Sequence, residues 1–322
     1  MTYPKVVAIG GGTGLASLLR GLKHFPVQIT AIVTVADDGG SSGRLQRDWQ
    51  IPPPGDIRNV LIALSETEDI FRQLLGFRFQ SANGSHALDG HSMGNLLLTA
   101  LFTISDGDFV KAVEHLGEIL RIKGRVLPVS PEAAVLHAEL ENGQQVCGES
   151  QIATYDAKVC RVFYDQPVKA EPQAVAAIRD ADVIVFGPGS LYTSVLPNLL
   201  VGEVAAAINA NTRADKVYIC NIMTEHGETD GMSASAHLQA ILDHGIAQVG
   251  KIIVNDEAIP PDYLARYHAE DAEPVVNDFA QLAAQGVEVI RSRIADLRQE
   301  GVRHDAIKTA ASVYSIALSH QR

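Results

Sequence analysis

Two short β-branched runs, each ending in a glycine-rich loop, constrain this chain more than any other feature. Val6-Val7-Ala8-Ile9 leads into Gly10-Gly11-Gly12-Thr13-Gly14-Leu15. Ile29 to Val35 leads into Ala36-Asp37-Asp38-Gly39-Gly40-Ser41-Ser42-Gly43-Arg44. Glycine lets backbone N–H groups turn inward with no Cβ in the way, so such loops make concave anion sites. A helix starting at Leu15 adds its positive N-terminus to the same spot. Together the two loops point to a phosphorylated or nucleotide ligand.

The strand–loop–helix rhythm repeats along the chain. Residues 6–9 read as strand, 15–22 as helix, 29–35 as strand and 57–64 as helix. Later apolar runs at 183–186, 217–220, 252–254 and 287–290 read as further strands. Short β-branched runs separated by helical patterns predict an α/β, Rossmann-like fold, a mostly parallel sheet with helices on both faces. One excursion, about residues 126–166, breaks the rhythm. Residues 134–140, then Asn142-Gly143, then 145–152 read as an antiparallel hairpin with a type I′ turn, extended by a strand at 159–163. No repeat or linker divides the chain, so residues 1–322 are expected to form a single domain.

Composition narrows the partners. The net charge of −12 lacks the basic footprint that nucleic acid or an anionic membrane needs, so a phosphate site must be local. Cys147, Cys160 and Cys220 are odd in number and widely spaced, which suggests neither a disulfide framework nor a zinc site. A strand begins by Val6, leaving no room for a signal peptide, and the longest apolar stretch, near residues 96–104, is too short to span a bilayer. The expected location is cytoplasmic.

The candidate site residues lie on the loops. Gly11, Gly12, Thr13 and Gly14 form a near match to the dinucleotide fingerprint, with Leu15 where the third glycine would stand. The plain alternative is a tight βα turn with no ligand. Asp37 and Asp38 sit where a Rossmann protein places one acid for a ribose hydroxyl. Carboxylates beside a phosphate nest also suit Mg²⁺. The bland reading is that Asp37 caps a turn and Asp38 faces solvent. Gly39, Gly40, Ser41 and Arg44 complete that loop. Pro52-Pro53-Pro54-Gly55-Asp56 is a stiff approach to a helix that Asp56 can N-cap, with Arg58 and Asn59 in its first turn. Arg58 there opposes the helix dipole, which favours an anion or a carboxylate partner. His91 and Asn95 open the apolar helix at 96–101. Gly187, Gly189, Ser190 and Tyr192 form a second glycine-rich turn, and Thr224 to Thr229 follow another strand. There is no P-loop and no H-E-x-x-H helix.

In combination these loops resemble the gluconeogenesis factor family within the CofD-like superfamily, which also contains the 2-phospho-L-lactate transferases. The resemblance runs nearly end to end, through residues 10–15, 36–44, 52–59, 90–95, 187–194, 227–229 and 303–305. The Gly-Gly-Ser-Ser-Gly-Arg run at 39–44, with Leu15 after Gly14, places the chain with the regulators rather than the transferases. The resemblance implies UDP-N-acetylglucosamine as ligand, held at the C-terminal edge of the sheet. It also implies a homodimer and a role in partitioning carbon toward cell-wall precursors and cell shape, with a cell-wall-precursor enzyme as partner. By motif match it assigns UDP-sugar contacts to Tyr267, with Tyr263 as the alternative, and Arg303. It assigns Mg²⁺, as in the transferases, to Asp37 and Asp56. Three readings stand in order: a nucleotide-sugar-binding regulator without turnover and with no catalytic residues, a Mg²⁺-dependent phospho-group transferase, and an NAD-dependent oxidoreductase.

Overall fold

Strands buried on both faces must lie in the middle of a sheet covered by helices, and this chain places them there. The computed structural model describes residues 3–67, 69–81, 86–152, 154–155, 157–297 and 301–321. Its strands are β1 (Lys5–Gly10), β2 (Gln28–Val33), β3 (Arg125–Pro128), β4 (Leu136–Leu140), β5 (Gln145–Cys147), β6 (Val159–Tyr164), β7 (Val183–Phe186), β8 (Asp215–Ile219), β9 (Lys251–Asn255), β10 (Glu288–Ser292), β11 (Ala295–Asp296) and β12 (Arg303–His304). Seven of them form one all-parallel sheet in the order β10-β9-β8-β7-β1-β2-β3. Counted within that sheet, the order is the doubly wound 3-2-1-4-5-6 with one strand added at the far edge. Its direction reverses between β1 and β7, the place where such sheets open a ligand crevice. The central strands Val6–Ile9 and Val183–Phe186 are almost wholly buried.

Seven helices of the first half matter below: α1 (Gly12–Leu22), α2 (Gly40–Trp49), α3 (Gly55–Leu64), α4 (Asp69–Gly76), α5 (Met93–Ile104), α6 (Phe109–Ile119) and α7 (Glu149–Ile152). One apolar core runs through the sheet and its helices. A small satellite cluster of Ile222, Met223, Ala295 and Val302, with Tyr263, Tyr267 and Leu297 packed against it, closes the C-terminal side of the crevice. Among the described residues no single helix is long and apolar enough to cross a membrane.

Four local expectations need correction. The run 39–44 is not a loop: Ser41, Ser42 and Gly43 are buried in the first turns of α2, where a polar network described below overrides their poor helix propensity. The three-stranded antiparallel excursion β5-β4-β6 is present, but its turn is not type I′. That turn needs positive φ at both central residues, and only Gly143 has it; Leu140 N–H donates to Gln144 O instead. The strand expected to reach residue 152 ends at Cys147, because the chain turns into α7. Finally, Pro54 rather than Asp56 stands at the N-cap of α3, and the carboxylate of Asp56 is turned across to α1.

Candidate nucleotide site at the sheet's switch point

The crevice between the β1 and β7 loops is a cleft of about 730 Å³. Its floor is the first turn of α1, whose N-cap Gly11 offers no side chain to the backbone N–H groups. Gly12 holds φ +61°, and the Gly187–Ser190 turn closes on Gly14 from the other side. An ideal Cβ at Gly14 would lie 2.6 Å from the Pro188 carbonyl oxygen and 2.8 Å from Gly189 N. Close approach of two backbones at the positive end of a helix is the geometry of a diphosphate cradle.

One pole of the cleft is acidic. Asp37, Asp56 and Glu149 line it. Asp56 accepts from Gly12 N–H, yet burial and the neighbouring charge of Asp37 push its pKa up to about 7. Glu149 is pushed up to about 8, first by burial and then by Asp37 and Asp56. Asp37 Oδ1 accepts from Gly39 N–H at 3.0 Å, an Asx turn. Asp38 Oδ1 accepts from Ser150 N–H at 2.8 Å, so the half-buried Asp38 anchors the helix that carries Glu149 and does not line the cleft.

The other pole is made by Asn221 to Glu225 after β8, and by Tyr267, Arg303 and His304. Tyr267 donates its hydroxyl to Val302 O and accepts from Val302 N–H at 2.9 Å, which holds β12 against the cleft. Tyr263 instead packs in the satellite cluster and hydrogen-bonds Leu297 O. Glu225 lies beside Ser190 and Arg303, while burial raises its pKa. Behind it, Glu228 accepts from Thr193 Oγ1 and Tyr192 N–H, and burial pushes its pKa up to about 8.

Several candidates lie behind the wall rather than in it. Ser41 Oγ meets His91 Nδ1 at 3.0 Å and accepts from Asn95 Nδ2 at 3.1 Å. Arg58 donates to Ser92 Oγ, to Asn95 Oδ1 at 2.9 Å and to Asn59 Oδ1 at 2.7 Å. Arg44 donates to Asp89 O. This network ties the N-terminal turns of α2, α3 and α5 together, with Ser92 capping α5. Leu15 is in the core, Tyr192 is buried, and Gly187, Gly39 and Gly40 are not among the lining residues. Gly11, Gly12, Thr13, Gly14, Asp37, Asp56, Asn59, Gly189, Ser190, Tyr267 and Arg303 do line the cleft. Sequence reading did not single out Glu149, His304 or Asn221. The rule that strand C-termini face the crevice reaches Asn221, but nothing local marks Glu149.

The comparisons decide the family. The profile of 2-phospho-L-lactate transferase CofD matches residues 6–295. A gluconeogenesis factor of Halalkalibacterium halodurans is 52% identical over 316 residues, covering 97% of this chain and 96% of that one. One from Bacillus subtilis is 49% identical over 310 residues, covering 96% of each. This chain belongs to the gluconeogenesis factor family of the CofD-like superfamily. A crystal structure of a UPF0052 family member from Bacillus halodurans superposes with a TM-score of 0.92 at 50% identity, over 98% of this chain and 99% of that one. The family's fold is therefore the one described above.

The acidic pole has a measurable consequence. An acid whose folded pKa lies above its unfolded value stays neutral in the native state while the unfolded chain ionises. Stability is therefore lost progressively as pH rises from about 4.5 to about 8. Glu149→Gln removes that loss. Urea unfolding of the ligand-free variant should show a gain of about 1–3 kcal/mol near pH 8 and much less near pH 5. An equal gain at both pH values would refute the assignment.

Proposed function

We propose that this gluconeogenesis factor family member is a regulator that binds UDP-N-acetylglucosamine and reports its level, linking carbon metabolism to cell-wall precursor synthesis and cell shape. The observation that carries the reading is the glycine cradle at the α1 N-terminus, facing Arg303 across a cleft with two polar poles. A diphosphate fits the cradle, since helix N-termini and guanidinium groups are its usual partners. The acidic pole suits sugar hydroxyls, and the Asn221–His304 pole suits a nucleoside. Asp37 and Asp56 would hold Mg²⁺. Their uncompensated charge, visible in the raised pKa of Asp56, is what a hard cation bridging to phosphate oxygens relieves. The reading takes the working assembly to be a cytoplasmic homodimer whose ligand state is read by a cell-wall-precursor enzyme.

The second reading is a Mg²⁺-dependent transferase of a phospholactyl group, favoured by the CofD profile match and by the same two acids. Calorimetry against UDP-sugars, GDP, inorganic phosphate and NAD, with and without Mg²⁺, separates these readings. We expect heat with UDP-N-acetylglucosamine and none with NAD, because Leu15 fills the place of the third dinucleotide glycine. Incubation with a nucleotide-diphospho-lactyl donor, a deazaflavin acceptor and Mg²⁺ should give no product, and Asp37→Asn should only weaken ligand affinity. Turnover that vanishes in Asp37→Asn would make the transferase reading correct, and UDP-sugars giving neither heat nor a melting shift would end the first.

A further inference from the structure

His304 lines the cleft beside Arg303, its ring held by one hydrogen bond and its backbone by others. Its Nε2 lies 3.1 Å from the carbonyl oxygen of Cys220, itself placed by the bond from Cys220 N–H to Ile253 O at the end of β8. Its own carbonyl accepts from Ser17 Oγ at 3.0 Å, and Asp305 N–H donates to Ile294 O just beyond. A carbonyl oxygen only accepts, so the hydrogen-bond network assigns the imidazole proton to Nε2. The lone pair then sits on Nδ1, which makes no hydrogen bond among the described residues. Burial holds the pKa down to about 4, so a second proton is absent at neutral pH.

We propose that His304 is a neutral, acceptor-only reader of the ligand, taking a hydrogen bond through Nδ1 from an N–H or O–H group on the uncharged nucleoside part. The inference rests on the nucleotide-binding reading and deepens it. Arg20 and Arg303, the guanidinium residues of the cleft, offer only donors, and its carboxylates crowd the opposite pole or lie beside Ser190 and Arg303. A phosphate oxygen placed against Nδ1 would meet lone pair with lone pair. His304 therefore marks where the phosphates end and the nucleoside begins. The donor is either the imide or lactam N–H of a pyrimidine or guanine base, or a ribose hydroxyl, and these two sources are distinguishable.

The test is a cycle of binding measurements by calorimetry, with melting curves as the fold control. His304→Gln keeps an amide N–H in reach of Cys220 O and removes the acceptor at Nδ1. His304→Asn keeps an acceptor near the Nδ1 position. Wild type and variants are titrated with UDP, 3-methyl-UDP and 2′-deoxy-UDP. If GDP is the better ligand, 1-methyl-GDP and 2′-deoxy-GDP are used instead. We expect His304→Gln to bind the parent nucleotide about three- to tenfold more weakly, the scale of one neutral hydrogen bond. The analogue lacking the true donor should lose affinity in wild type but no further affinity in that variant. The base is the source if this is the N-methyl analogue, the ribose if it is the deoxy one. If His304→Gln melts before binding can be measured, His304→Asn carries the test and should still discriminate parent from analogue. Undiminished binding by His304→Gln, equal analogue losses in wild type and variant, or a folded His304→Asn that no longer discriminates would overturn the inference alone. Wild type that binds no nucleoside diphosphate at all would overturn the nucleotide reading together with it.

Discussion

Gly14→Ala should abolish binding of UDP-N-acetylglucosamine, a loss of at least about a hundredfold, while the far-ultraviolet circular dichroism stays that of a folded α/β protein. The added methyl would press on Pro188 O and on the backbone of Gly189, neither of which is the far end of a flexible side chain. Overpacking of this kind moves backbone, at a cost of about 1–3 kcal/mol in stability. Here the backbone that moves is one wall of the cradle. The matched control is Gly202→Ala, since a Cβ at Gly202 meets nothing within 4 Å. That control should bind normally. Normal affinity in Gly14→Ala would show that the phosphates lie elsewhere.

Arg303→Ala should weaken the same ligand by about 1.5–3 kcal/mol, roughly ten- to a hundred-and-fifty-fold, the scale of charge-assisted hydrogen bonds to a diphosphate. Arg303 is exposed on β12 and its charged neighbour is Glu225, so the ligand-free protein should melt almost unchanged. Arg303→Lys should recover only part of the loss, because an ammonium cannot present the planar fork of a guanidinium. The loss should shrink for ligands without a diphosphate. A uniform loss across ligands with and without phosphates, or a large fall in melting temperature, would assign Arg303 to the architecture of β12.

The parallel sheet was legible because Val6–Ile9 and Val183–Phe186 need no partner to be recognised. A strand buried on both faces is a short continuous β-branched run, and each of these runs ends in glycine. The glycine loops that line the cleft after β1 and β7 were legible for the same local reason. By contrast, α2 was not, since Gly-Gly-Ser-Ser-Gly has the composition of a turn. It is helical because Ser41 finds His91 and Asn95, residues fifty and fifty-four positions away. Arg58 was read as a residue awaiting an anion or a carboxylate partner. Its guanidinium instead donates to Ser92, Asn95 and Asn59, and burial together with the Arg78 charge lowers its pKa.

The amino-acid sequence by itself determined the strand runs, the crossover rhythm, the glycine cradle and the paired acids, because each depends on residues within one or two turns of one another. Only the tertiary structure decided what faces the cradle. The doubly wound strand order set β7 beside β1 and so put Gly189 against Gly14. Asp38 drew the excursion in by a bond spanning 112 residues, which placed Glu149 over Asp37 and Asp56. Cys220 fixed the His304 ring across 84 residues. Such pairings have no local signature: each partner alone is an ordinary polar residue. Its role as wall, anchor or reader exists only once burial removes the water that would otherwise satisfy it.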